Sequence, residues 1–492
     1  MKTMAKLNGK DIIGVITKGR LVKLQKKTVT PTSSSQTIKP DTGYDGMSEV
    51  VLNKYVSKSQ KKTVKPKATV QVITPDAGYD GLSEVTVEPG YSNSISSYLD
   101  KSLTTLTSDD LSTIDRIPYQ AFSGFQKLSG TLTIPNNIKS ISDSAFYSCS
   151  SIEAVTLPDT LEYLGGGSFM YCSKLSSINA PSNLRRVGEN ALYGTAWMNN
   201  QRGAGLIYFG KILCGRSYGN TYPEDVTNPS IKSDTVAIAD SVFINYPYIE
   251  KIIIPKSVEY LASRSLSSRD LKSVTFESDS QLDEIGSQAF YRCESLTRIE
   301  IPQNVTKIGV NVFSTSGLTD IIFKGSKLKS LDGTFAYAKK LKNITFPVGV
   351  ESLDHAFEYC ESLTSIEIPN SVKNITGAFS DCTSLTSIRF AEGSQLTEFG
   401  AGVVSNCVSL SSIEIPSSVT RIDNYALDGM GSSSNKTTII IHATVPPALT
   451  DIFSSLEISN PSQIIVPKGC GNAYKSAAGW SSYANLIVES TE

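Results

Sequence analysis

Side chains able to act as acid, base, nucleophile or metal ligand are few in this chain, and they are poorly grouped. Two histidines, His355 and His442, occur in 492 residues. His355 stands just before Ala356 and Phe357 at a position of an internal repeat, and His442 follows a run of three isoleucines that reads as a strand face. Neither has a Cys or a second His at zinc-ligand spacing, so no metal site is expected. No Gly-x-Ser-x-Gly, Walker or Gly-x-Gly-x-x-Gly motif is present. The glycine run Gly165, Gly166, Gly167 lies between Leu164 and Phe169 and reads as a tight turn rather than a phosphate cradle. Carboxylates are plentiful, and glycoside hydrolysis needs only two. However, Glu300, Glu367 and Glu414 recur at one repeat position, as a solvated ladder would. The expectation is a non-enzymatic chain without a cofactor, with glycan hydrolysis as an alternative.

Eight cysteines are too few for a disulfide scaffold. Six of them, Cys149, Cys172, Cys293, Cys360, Cys382 and Cys407, each follow the Phe of a repeated Ala-Phe position, or its equivalent, by three residues. Stacked repeats would line them up as a buried ladder. Parallel Cβ vectors suit disulfides poorly, so free thiols acting as small hydrophobes are expected. Cys214 and Cys470 fall outside this ladder.

Composition bounds the partners. The chain has 46 basic and 47 acidic residues and a formal charge of −1, so it presents no basic field for nucleic acid or an anionic membrane. With 19% charged residues and much Ser, Thr, Asn and Gly, it suits β-rich structure with many turns. No run of eighteen apolar residues exists, so membrane insertion is not expected. The segment from Met1 has no secretory h-region, because Ile12–Ile16 is short and broken by Gly14. A signal is therefore expected to be absent, or removed before this numbering begins, and Met4 is an alternative start.

Two repeats organise the elements. Near the N-terminus, Thr28 to Pro31 and Pro40 to Gly46 recur as Thr63 to Pro66 and Pro75 to Gly81, offset by 35 throughout. Ser48–Leu52 and Ser83–Val87 alternate polar and apolar residues after Asp-Gly turns, so two small β modules are expected at 25–52 and 60–89. They are too small to build much core alone, so they should pack on each other or on a partner. The second repeat has a step of 21 to 25 residues and a Phe or its substitute in each of about thirteen coils. In its best copy, Leu363 to Ile368 forms a strand with alternating faces, Pro369 ends it, Ser371 to Ile375 supplies a second short strand, and Ala378-Phe379 turns the ring inward. One coil cannot cover its apolar side, but a stack can. Thirteen coils at strand spacing give roughly 60 Å.

One step is irregular: 51 residues separate Leu192 from Phe243. The surplus includes Gly205 to Cys214, which reads as strand, turn, strand, so a hairpin insertion at about 196–234 is expected to project from one face. The far end departs from the repeat, and Val466-Pro467 with Ala473–Trp480 suggests a last strand and a short helix closing the array. The resulting division is 1–24 as an attachment segment, 25–91 as the tandem modules, 92–443 as the solenoid and 444–492 as the cap.

Ser362 to Pro369, then Ser371-Val372, then Ala378 to Cys382 resembles the BspA-type leucine-rich repeat family over about 111–443. Ile465 to Trp480 looks like a segment that closes such arrays in gut bacteria. The resemblance implies a cell-surface or secreted binding protein. The N-terminal units, with Gly-Tyr-Asp-Gly at Gly43 and Gly78, resemble repeats of bacteriophage virion proteins. That implies a virion fibre or decoration protein, attached to other virion proteins by its N-terminal region and facing a host surface protein or glycan. A bacterial surface adhesin is the alternative, and a homo-oligomer is compatible with either. Binding is expected on the outward positions of the main strands, at Ile253, Arg298, Glu300, Asp320, Ile322, Glu367, Arg389 and Glu414. Tyr208, Phe209, Tyr218 and Tyr222 of the insertion are a second candidate, with packing of the hairpin as the rival reading for the first two.

Overall fold

The computed structural model describes residues 103–491 apart from 113, 202–204, 217–226, 245–247, 326, 424, 432–436 and 450–460, and the backbone of eight strands within 1–102. The chain divides into two compact units, 1–219 and 220–492. Both are mainly β and form leucine-rich-repeat solenoid coils.

In the first unit the 35-residue repeat is visible in the strand pairing. Arg20–Val29 runs parallel to Gly46–Leu52, and Ser59–Val64 runs parallel to Gly81–Val87. The two copies join antiparallel through equivalent residues, Val50 opposite Val85 and Thr37 opposite Val72. Pairing between like positions places a local two-fold relation between the modules. Lys10–Thr17 pairs with Arg20–Val29 as a hairpin, so a strand crosses position 24.

Each solenoid coil contributes two short parallel columns. The main column contains strands such as Ser365–Ile368, where Ile366 and Ile368 are buried and Glu367 is exposed. The second column contains two-residue strands such as Ser140–Ile141 and Tyr163–Leu164, paired in parallel with the next coil. The ring position closes the coil. Phe122, Phe146, Phe169 and Leu192 occupy it in the first unit, and Phe243, Leu266, Phe290, Phe313, Phe335, Phe357, Phe379, Val404 and Leu427 in the second. All are buried. The rings stack nearly parallel: Phe122, Phe146 and Phe169 at 5.0 Å steps, and Phe290 through Phe379 at 5.3 to 5.6 Å. This spacing is slightly more than that of neighbouring strands, about 4.8 Å, because the coil repeat sets it.

The bend that carries the ring is sharper than a helical turn. The residue two before the ring is left-handed in every one of these coils, from Gln120 (φ 53°) through Gly167, His355 and Gly377 to Tyr425. Chain direction reverses there, and glycine adopts that φ without the Cβ clash other residues bear. Gly167 fills this role in the glycine run. Gly165 is tied to close packing, since a Cβ on it would lie 2.4 Å from the Ser142 carbonyl carbon. Coil joins coil through the backbone, as when the Phe290 N–H donates to the Val312 carbonyl at 3.0 Å.

The six ladder cysteines are free and buried. Each thiol donates to a main-chain carbonyl one coil back, as Cys149 does to Phe122 (3.0 Å) and Cys382 to Phe357 (3.1 Å). Burial pushes the thiols of Cys293 and Cys407 up to about 12 and those of Cys360 and Cys382 upward as well, so the reactive thiolate is suppressed.

One feature differs from expectation. The hairpin of Leu206–Phe209 and Ile212–Arg216 is present but does not project. Ile207, Phe209, Ile212 and Leu213 are buried, and Phe209 meets Trp197 edge to face at 5.5 Å on a short helix, Ala196–Asn199. An apolar strand face of this size is stabilised only by burial. At the far end, the sequence leaves the repeat but the ladder does not stop. Pro461–Val466 and Ile487–Glu489 extend the column of Ser412–Ile415 and Thr437–Ile441. Tyr474 Oη donates to the Ala443 carbonyl (2.7 Å) and Trp480 Nε1 to that of Pro447 (2.8 Å), holding the closing helix Gly471–Ser476 in place.

Candidate functional site on the outward strand face

The outward positions of the main column are set by strand alternation, and their surroundings by the length of each coil. From Ile249 to Leu271 the step is 22 residues, and from Leu296 to Leu318 it is again 22, but from Leu271 to Leu296 it is 25. The extra residues follow the strand Ser273–Phe276, where other coils place Pro. Glu277 N–H donates to the Ile254 carbonyl and Gln281 N–H to that of Lys256, so the backbone between them bulges outward from two fixed points. Asp279 at its crest is left-handed (φ 60°), and Asn304 Nδ2 of the next coil donates to the Ser280 carbonyl at 2.8 Å. Beyond this bulge the main sheet is interrupted: Ser273–Phe276 pairs with Lys251–Ile254 but not with Arg298–Ile301, which begins a new ladder. The same design recurs at Ala391 to Ser394, after which Ser387–Phe390 fails to pair with Ser412–Ile415.

The interruption opens a cleft of about 620 Å³ in the second unit, lined by Lys272, Thr275, Phe276, Arg298, Glu300, Gln303 and Lys324, among others. Glu300 is its electrostatic centre. Its carboxylate lies 2.5 Å from Lys324 Nζ and 3.4 Å from an Arg298 terminal nitrogen. Hydrogen bonds from Lys324 and then Arg298 hold its pKa below the ordinary carboxylate value. Lys272 is tied to Glu250 at 2.6 Å.

The other expected binding residues distribute as follows. Arg298, Glu300, Asp320 and Ile322 share one three-stranded sheet. Asp320 accepts from Thr319 Oγ1 (2.6 Å) and Asn343 Nδ2 (2.8 Å), which lowers its pKa. Ile322 lies between Glu300 and Thr345 in register and is half-buried. Ile253 is open, 57% exposed, opposite Thr275. Glu367 and Arg389 face each other on a separate two-stranded ladder. Glu414 stands beside His442, with Oε2 and Nε2 3.2 Å apart. Glu300, Glu367 and Glu414 therefore lie on three different sheets and form no acid pair. Two carboxylates do converge elsewhere, Glu398 and Asp423, but Arg421 bridges both of them. His355 bonds Glu358 through Nδ1 at 2.7 Å on the turn column. Among the described residues no group of three metal-ligating side chains occurs, and no helix is long and apolar enough to cross a membrane.

Of the insertion's aromatics, Phe209 is packed inside and Tyr208 is half-buried, which removes Phe209 as an interface anchor. Tyr218 and Tyr222 lie outside the described residues. Reasoning from the repeat alone reached Thr275 as an outward position but missed Lys272 and Gln303. The legible signal was the 25-residue step, which marks where a coil must bulge.

Six copies of the BspA type leucine rich repeat region match this chain, over residues 93–205, 221–333 and 331–434. The chain belongs to the BspA-type leucine-rich repeat family. Among curated proteins none matches it. Similar solved structures include a leucine rich cell surface protein from Faecalibacterium prausnitzii, 19% identical, covering 96% of this chain and 98% of that one at a TM-score of 0.33. A leucine-rich repeat protein from Bacteroides ovatus is 20% identical, covering 84% and 95% at 0.34. The pneumococcal vaccine antigen PcpA is 14% identical, covering 95% and 99% at 0.26.

Proposed function

We propose that this leucine-rich repeat chain is a non-enzymatic adhesion and display protein whose outward strand wall contacts a surface protein or glycan. The observation that carries the reading is the division of labour within each coil. Rings, thiols and alternating isoleucines go to the interior, while the outward column varies from coil to coil and opens into a cleft with balanced charges near an exposed Ile253. Membership of the BspA-type leucine-rich repeat family supports the same reading. The test is attachment of the labelled full chain to bacterial and host cells. Ile253→Arg with Arg298→Glu is expected to lower attachment at least tenfold, whereas Lys307→Ser on the second column leaves it unchanged. Equal attachment by all three proteins would sink the proposal.

A second reading is favoured by the tandem 35-residue modules, whose motif resembles repeats of bacteriophage virion proteins. On it, residues 1–24 and the modules attach the chain to other virion proteins, and the solenoid meets the host. Mass spectrometry of purified particles tests this: presence at a fixed stoichiometry is expected, and absence removes it. Release of reducing sugar from host envelope glycans would instead favour a hydrolase.

A further inference from the structure

We infer that the cleft between Ser273–Phe276 and Arg298–Ile301 binds a neutral oligosaccharide, an inference that rests on the adhesion reading. Its volume of about 620 Å³ lies within the range of roughly 300–1,000 Å³ usual for small-ligand sites.

Charge decides against an anion. Lys272, Arg298 and Lys324 line the cleft, but so do Glu277, Asp279 and Glu300, so the wall is balanced. The cations are also already engaged, Lys272 by Glu250 and the other two by Glu300. An anionic ligand would have to replace one exposed ion pair by another, and such pairs differ by no more than about 1 kcal/mol.

Strand spacing decides against an added peptide strand. The two lips approach within 8 Å at Cα, whereas an inserted strand needs about 9.6 Å between its neighbours.

A polyol uses what remains. Arg298 carries five N–H donors and commits few of them to Glu300, whose carboxylate retains acceptor capacity. The Thr275 hydroxyl and the Gln303 amide add both donors and acceptors. The ion pairs already fix Arg298, Glu300 and Lys324, so a ligand orders few side chains on arrival.

The experiment is saturation-transfer NMR and calorimetry on the full chain with maltotriose, cellotriose and N-acetylated chitotriose, with sialyllactose, a heparin disaccharide and inorganic phosphate as anionic probes. At least one neutral trisaccharide is expected to bind with a Kd of about 1 mM or tighter. Its affinity should not change between about 0.02 and 0.5 M NaCl. Thr275→Arg, at an exposed position, should weaken it at least tenfold, and Thr345→Arg, on a strand outside the cleft, should leave it unchanged. The inference fails if no neutral probe binds at about 10 mM, if only anionic probes bind, or if Thr275→Arg binds like the parent. If the chain attaches to cells yet takes no neutral probe, this inference alone falls. If it takes the sugar but attaches to no cell, the adhesion reading falls instead.

Discussion

Replacing Phe357 by Ala tests the stacking that holds the solenoid together. Phe357 is fully buried and lies between Phe335 at 5.3 Å and Phe379 at 5.5 Å, both nearly parallel to it, with Phe346 edge-on at 6.0 Å. Truncating a buried Phe costs about 3–5 kcal/mol in transfer and cavity terms. Three aromatic partners lose their contacts at once, each worth about 0.5–1.5 kcal/mol beyond area burial, which places this site at the upper end, near 5 kcal/mol. Leu occurs naturally at the ring position as Leu192, Leu266 and Leu427, so Phe357→Leu should cost only about 1–2 kcal/mol. Each coil touches only its neighbours, so the damage should be local. Urea unfolding followed by circular dichroism gives the magnitude, and hydrogen exchange gives the location. Protection should fall chiefly in the coils from Phe335 to Phe379. A loss under about 1.5 kcal/mol for Ala, or an even loss of protection along the chain, would refute the picture of a ring column as the axis of cohesion.

Three further outcomes follow from the same structure. Ser265 is fully buried with an Oγ that has no hydrogen-bond partner, at a position where Ala121, Ala145 and Ala289 stand in other coils. Ser265→Ala should therefore raise stability by about 1 kcal/mol in urea unfolding. Glu351 lies 2.9 Å from Lys373 and 3.0 Å from Lys329, and hydrogen bonds to these two hold its pKa at about 2, below its ordinary 4.5. A depressed folded-state value means that this contribution is complete above about pH 4.5 and is lost as pH falls towards 2. The difference in stability between the parent and Glu351→Gln should shrink across that window, and at high salt. Finally, the six ladder thiols should resist iodoacetamide in the native protein and react fully in denaturant; rapid native labelling of Cys293 or Cys360 would contradict their burial.

Much of this protein is readable before any coordinates. The alternation around Ile366, Glu367 and Ile368 sets strand faces, because successive side chains must point to opposite sides. The recurrence of Phe and Cys three residues apart sets two interior columns, because a single coil cannot bury them and stacked coils can. The 35-residue offset likewise foretells paired modules, though their antiparallel join at Val50 and Val85 is a matter of assembly.

What the chain by itself determined was the periodic part: the coil, its inward residues, its thiol ladder and its family. These follow from local alternation and from the need of each unit to cover the next. Tertiary structure decided the exceptions. It folded the apolar hairpin down onto Trp197 and carried the ladder past the last recognisable repeat. Beside one coil that is three residues too long the main sheet is interrupted, and Thr275, Arg298 and Glu300 stand around a common cleft. A repeat fixes spacing along the stack, but where a longer loop goes depends on the backbone groups its neighbours leave to receive it.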